Sequence, residues 1–167
     1  MVHSKQKLKN IKLVITDVDG VLTDAGIYYN KNGEFLKKFN TRDSYGMELL
    51  FEQNIKTVML TRENSEIVKK RAKKIKIVDL ISGVKDKKAY LSKLQKKYSV
   101  KTNEIAYIGD DINDLQIMKS VGFCASPNDG VSQVRKISDY VCNLKGGEGA
   151  FREFSELILK YKKISNL

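Results

Sequence analysis

Four short apolar runs, each ending abruptly at a polar or glycine-bearing residue and each separated from the next by a helical pattern, constrain this chain more than any other feature. Residues 11–16 (IKLVIT) stop at Asp17, and residues 57–60, 78–81 and 105–108 are runs of the same kind. Between them, residues 44–53, 64–75, 87–98 and 112–121 carry apolar side chains at helical spacing. A last helical segment near 149–163 places Phe151, Phe154, Ile158 and Tyr161 on one face. Runs with no polar alternation read as strands buried on both faces, and strands alternating with helices are joined by crossovers that keep them parallel. The expected fold is therefore α/β and Rossmann-like, a central parallel sheet flanked by helices. One piece interrupts the alternation. Residues 27–29 and 35–39 flank the turn-forming Asn30-Lys31-Asn32-Gly33 and predict a β-hairpin inserted after the first strand. With 167 residues and no repeat or low-complexity linker, the chain divides into a polar leader, residues 1–10, and a single domain, residues 11–167.

The formal net charge of +11 raises the question of a polyanionic partner. All of that excess lies in residues 69–101, which hold thirteen Lys and Arg against two acids, Asp79 and Asp86; the rest of the chain is balanced. In that stretch the basic residues alternate with Val68, Ala72, Ile75, Leu91, Leu94 and Tyr98 at helical spacing, as solvated faces of two amphipathic helices do. Aromatic residues are not interleaved with the lysines as a base-stacking platform requires, so no nucleic-acid partner is expected. No apolar stretch approaches the ~20 residues that span a bilayer, and the start has no signal-peptide core, so a cytoplasmic protein without a membrane partner is expected. Cys124 and Cys142 have no metal-site or redox spacing and read as small buried residues in apolar strands, a disulfide between them being the lesser alternative. His3, in the leader, has no partner in sequence and is assigned no catalytic role.

Four polar features fall at strand ends, where such a sheet binds its ligands. Asp17-Val18-Asp19-Gly20 offers two carboxylates one residue apart and a glycine that frees the backbone, a set suited to a hard divalent cation; an Asx turn capping the strand is the alternative. Thr61, after residues 57–60, has a hydroxyl able to donate to a phosphoryl oxygen, although an isolated threonine there also serves as a helix cap. Lys87 opens a helix, where an ammonium and N-terminal amides can hold an anion together, or is a surface lysine. Gly109-Asp110-Asp111-Ile112-Asn113-Asp114 packs three carboxylates into five residues, more than a helix dipole accounts for and costly without a cation or basic partner.

In this order the four features form a signature. DVDGV, the threonine, the lysine and GDDIND resemble the haloacid dehalogenase superfamily of phosphohydrolases. The resemblance implies Asp17 as nucleophile, Asp19 as general acid/base, and Thr61 and Lys87 as the grip on the phosphoryl oxygens. It implies Mg²⁺ held by Asp17, the backbone carbonyl of Asp19, and Asp110, with Asp111 and Asp114 as supporting acids. DVDGVLTDAGIYYN, GEFLKKFNTRDSYG and GGEGAFREF are similar to the 3-deoxy-D-manno-octulosonate 8-phosphate phosphatases and their relatives acting on nonulosonic, sialic-acid-type 9-phosphates. That narrower resemblance implies no cap domain, a homotetramer, and a neighbour's hairpin and C-terminal segment closing the site. Gly146 to Gly149 and Arg152 are then expected to serve an adjacent subunit.

The substrate-facing residues point two ways. Octulosonate members usually read glycine then arginine after the threonine; this chain reads Thr61-Arg62-Glu63. Glu63, Arg71 and Lys74 resemble the nonulosonate pattern, and Arg42 the octulosonate one. A glutamate can accept from sugar hydroxyls or an amine, while Arg71 and Lys74 can pair with a sugar carboxylate or with surface acids. Two other classes compete with an enzyme. A phospho-receiver domain carries adjacent acids on its first strand and a phosphorylated Asp on a middle one, which the DxD spacing and the Ile81-Ser82-Gly83 strand end do not match. A catalytically silent phosphosugar-binding domain does not need the complete acid set.

Overall fold

The computed structural model describes residues 2–162. Its sheet has six parallel strands: β1 (Leu13–Thr16), β4 (Lys56–Leu60), β5 (Asp79–Ile81), β6 (Ile105–Ile108), β7 (Phe123–Ser126) and β8 (Tyr140–Val141), in the spatial order β5-β4-β1-β6-β7-β8. β1 lies inside the sheet with β4 on one side and β6 on the other, so the chain reverses its direction of travel across the sheet at β1. A crevice opens at that reversal, at the carboxyl ends of β1, β4 and β6. β2 (Tyr28–Asn30) and β3 (Gly33–Leu36) form the expected antiparallel hairpin outside the sheet.

Alternation along each strand splits the core into two layers. Val14, Met59, Ala106, Phe123 and Ala125 face one side. There they meet Leu8 of α1 (Val2–Lys9), Met47 and Leu50 of α2 (Thr41–Glu52), Val68 of α3 (Glu66–Ala72), and Phe151, Phe154 and Ile158 of α7 (Ala150–Tyr161). Leu13, Ile15, Val58, Ile105 and Tyr107 face the other side, covered by α4 (Leu91–Tyr98), α5 (Leu115–Met118) and α6 (Ser132–Ile137). Phe123 and Phe154 stack with centroids 6.1 Å apart, joining α7 to the sheet. Asn40 accepts from the Arg42 amide at 2.9 Å and Ser65 from the Val68 amide at 3.3 Å, so each caps the helix that follows.

The differences from the sequence reading have local causes. The segment read as a leader is helix α1, whose buried Leu8 anchors an otherwise polar sequence; the His3 side chain falls outside those described. The apolar strand expected around Cys124 is β7, whereas Cys142 falls just beyond the two-residue β8; FCAS has little β-branched character to mark its bounds. The helix expected over 64–75 is shortened to α3 by its Ser65 cap, and the one over 87–98 is a single 3₁₀ turn, Lys88–Tyr90, leading into α4. The expected final residue of the last helix, Lys163, lies outside the described residues. Both cysteines are buried free thiols. No helix among the described residues is long and apolar enough to cross a membrane.

Gly146 and Gly147 pack against the loop that follows β1. The Gly147 amide donates to Val21 O at 3.0 Å, and a Cβ on Gly146 would collide with the Gly20 carbonyl. Gly146→Ala should therefore lower unfolding stability by about 1–3 kcal/mol, measured by chemical denaturation.

Candidate active site

Register brings the site residues to one level. Thr16 pairs with Met59 on one side and Ile108 on the other, so the residues that follow the three strands emerge together: Asp17 after β1, Thr61 after β4, and Gly109-Asp110 after β6. The cleft they form holds about 320 Å³ and is lined by Asp17, Asp19, Ala25, Thr61, Arg62, Glu63, Asp110, Asp111 and Asn113. A larger groove of about 450 Å³ runs along α3 and β5 beside Lys69, Lys70 and Lys73, without the converging carboxylates.

Beneath the cleft lies a buried ion triple. Lys87 Nζ, 1% exposed, sits 2.7 Å from Asp17 Oδ2 and 2.6 Å from Asp114 Oδ1. Burial pushes the Lys87 ammonium down, but the Asp17 and Asp114 carboxylates outweigh that and hold it above the ordinary lysine value. Asp114 is fully committed. Oδ1 also accepts from Tyr107 OH at 2.7 Å, and Oδ2 from the Asp110 amide at 3.0 Å and, more weakly, the Asp111 amide at 3.4 Å. The other Asp17 oxygen accepts from the Val18 amide at 2.7 Å.

Asp17 and Asp110 carry the unresolved charge. Burial, then the charge of Asp114, pushes Asp17 to about 7 despite Lys87. Burial, then the charges of Asp17 and Asp114, pushes Asp110 to about 8. Asp17, Asp110 and Asp114 each offer an oxygen within 4.8 Å of the other two, and Asp110 Oδ1 is buried with no hydrogen-bond partner. A Cβ on Gly20, whose φ of +86° suits glycine, would collide with the Asp110 carboxylate. An orphaned carboxylate oxygen in a glycine-shaped gap beside two other acids fits Mg²⁺, a hard cation that takes few protein carboxylates and completes its shell with water and phosphate.

The structure separates the remaining sequence-predicted residues. Asp19, Thr61 and Glu63 line the cleft, as does Asp111, which also caps the turn over Ile112–Asp114. Arg42, Arg71, Lys74 and Arg152 do not line it within this chain. Arg71 donates to Ser44 Oγ and lies over the Phe39 ring, Arg152 pairs with Glu156 at 2.7 Å and lies over Tyr45, and Arg42 and Lys74 are exposed. Gly146 and Gly147 support the first-strand loop of their own chain. Sequence reasoning missed Lys37, whose Nζ lies 2.7 and 2.8 Å from the two Asp19 oxygens and 3.2 Å from Glu34 Oε1. Burial opposes its charge, but the Asp19 and Glu34 carboxylates prevail and raise its pKa. The only signal for it was a doubled lysine on the return limb of the hairpin.

A parallel sheet with a DxD loop at its reversal point, a threonine, a buried lysine and an acidic loop on the neighbouring strands defines a class, the haloacid dehalogenase-like hydrolases. The model of that family matches residues 30–152. The 3-deoxy-D-manno-octulosonate 8-phosphate phosphatase of Salmonella typhi is 38% identical over 157 residues, 94% of this chain and 84% of that protein. Its Haemophilus influenzae counterpart is 39% identical over 93% of this chain and 87% of its own length. The Moraxella catarrhalis enzyme, solved with magnesium, phosphate and a KDO molecule, superposes with a TM-score of 0.93 at 41% identity, covering 97% of this chain and 93% of its own. This chain belongs to the 3-deoxy-D-manno-octulosonate 8-phosphate phosphatase family, a family of phosphoric monoester hydrolases.

The acid cluster has a thermodynamic signature. An unfolded aspartate ionises near 3.8, whereas Asp17 and Asp110 hold their protons to about 7 and 8 in the metal-free fold. Between those limits the folded state binds more protons, so stability is lost as pH rises. In EDTA the unfolding midpoint should fall by at least ~3 °C between about pH 5 and pH 8, equivalent to about 1 kcal/mol, and Mg²⁺ should reverse the fall. Thermal scans at matched ionic strength measure this; a flat metal-free profile would contradict the assignment.

Proposed function

We propose that this chain hydrolyses a phosphorylated 2-keto-3-deoxy sugar acid, with Asp17 as nucleophile and Asp19 as general acid/base. The observation that carries the reading is Asp17 itself, placed at the reversal point of the sheet, fixed by Lys87 and the Val18 amide, and open to a polar cleft. Asp17, Asp110 and the Asp19 backbone carbonyl would hold Mg²⁺, which when bound offsets the repulsion between the carboxylates and the anionic phosphate.

Asp17 attacks phosphorus and the bond to the sugar oxygen breaks, leaving an aspartyl-phosphate. Asp19 gives a proton to the departing oxygen and in the second half takes one from the attacking water. Thr61 and Lys87 stabilise the phosphoryl oxygens, with Lys87 also holding Asp17 in line. Asp111 and Asp114 act indirectly, Asp114 by fixing Lys87 and the Asp110 backbone.

The relatives named above favour octulosonate 8-phosphate as substrate. Glu63 at the cleft lip supports a second reading, a nonulosonate 9-phosphate, because a carboxylate there can accept from the extra hydroxyl or amine groups of a nine-carbon acid. Arg62, which has no ion-pair partner among the described residues, places a guanidinium at the same lip and suits the substrate's carboxylate. The hairpin exposes Tyr28, Tyr29, Phe35 and Leu36, Tyr29 at 71% and Phe35 at 64%, an apolar surface that supports burial in a homotetramer. In such an assembly Arg42, Arg71, Lys74 and Arg152 would serve a neighbour's cleft. A cytoplasmic location belongs to the same reading.

Phosphate release across octulosonate 8-phosphate, nonulosonate 9-phosphates and neutral sugar phosphates, with Mg²⁺ or EDTA, tests the reading. Mg²⁺-dependent turnover confined to the sugar-acid phosphates is expected. Asp17→Asn should reduce it to background, and Asp19→Asn should cost about 10²–10⁴-fold. Full activity of either variant would remove the assignment. Light scattering should give a tetramer that Tyr29→Ser with Phe35→Ser dissociates.

A further inference from the structure

The hairpin faces the wrong way for its composition. Its aromatic and aliphatic side chains Tyr28, Tyr29, Phe35 and Leu36 are exposed, while the Lys37 side chain just beyond β3 is fully buried. Burying an ammonium is costly unless it is well paired. Lys37 Nζ donates to both Asp19 oxygens at 2.7 and 2.8 Å and is braced by Glu34 Oε1 at 3.2 Å. The other Glu34 oxygen accepts from Ser65 Oγ, and Ser65 in turn caps α3. A continuous polar chain, Asp19-Lys37-Glu34-Ser65, thus crosses from the first-strand loop to the segment just beyond the Thr61 loop. The remaining side-chain contact of Asp19 is Thr23 Oγ1 at 3.3 Å, too weak to fix a rotamer at the cleft edge.

We infer that Lys37 is a positioning residue for proton transfer, fixing the Asp19 carboxyl group toward the leaving oxygen, and that Glu34 holds Lys37 in place. The inference rests on the acid/base reading of Asp19. A carboxyl group has lone pairs to spare: one oxygen can carry the transferable proton while the other still accepts from Lys37. Lys37 thereby restricts which way the proton points, and the hairpin becomes part of the catalytic geometry.

The leaving group isolates this role. A sugar alkoxide departs only with a proton, whereas p-nitrophenolate departs without one. In the first turnover, where alcohol release precedes hydrolysis of the shared aspartyl-phosphate, the release rate of Lys37→Met should fall at least about tenfold on octulosonate 8-phosphate but under about threefold on p-nitrophenyl phosphate. Asp19→Asn should show the same split more strongly, and Lys37→Arg should recover part of the loss. An equal loss on both esters, or no loss on either, would overturn the inference. If Lys37→Met does not fold, Glu34→Gln replaces it, with the same split expected at smaller size and its absence counting against the role. Wild-type inactivity on both esters, or no leaving-group split in Asp19→Asn, would sink the underlying reading; the split in Asp19→Asn without one in the Lys37 or Glu34 variants sinks this inference alone.

Discussion

The Lys87 ammonium buried between Asp17 and Asp114 is the interaction on which the rest of the site depends. Three ionisable groups out of water are expensive, and removing one partner from such a set costs about 3–5 kcal/mol because it strands the others. The set is tolerated here because nearly every lone pair is used. Asp114 takes Tyr107, Lys87 and two backbone amides, and Asp17 takes Lys87 and the Val18 amide. Within this site, Asp110 Oδ1 is the carboxylate oxygen left buried without a partner, beside a glycine that leaves room for a cation. At the strand ends the electrostatic deficit falls on Asp17 and Asp110.

That deficit explains the layout. β1 is paired in register with β4 and β6, so three loops reach the same height with three chemistries: a DxD pair, a hydroxyl, and an acidic turn. The glycines after β8 are folded back under the first loop, and Phe151 and Phe154 hold the helix that follows them against the sheet. The hairpin, with Tyr28, Tyr29, Phe35 and Leu36, is left as an exposed apolar element.

Much of this was legible in the sequence, for a physical reason in each case. The runs at 11–16, 57–60 and 105–108 form strands that are fully buried over 13–16, 57–60 and 105–108, and the polar residues that follow them cannot belong to an apolar layer. The bounds of β7 and β8, and α1 as a helix, were not legible, since each is short and held by tertiary packing rather than by its own pattern. Asp114 read as one of three crowded acids; only the fold shows that it faces inward and holds Lys87. Lys37 was invisible because nothing in a Lys-Lys pair says which member turns inward. The basic excess of residues 69–101 resolves into exposed helix faces, with Lys87 as the member drawn into the site.

The central claim is that the Asp17 carboxylate takes the phosphoryl group, and the most direct test is to trap it. Turnover with Mg²⁺ and substrate is quenched in acid and treated with borohydride, which reduces an acyl phosphate to an alcohol. Peptide mass spectrometry should then find homoserine at position 17 and an intact aspartate at position 19. Unmodified Asp17 under conditions of turnover, or conversion of a different acid, would contradict the account.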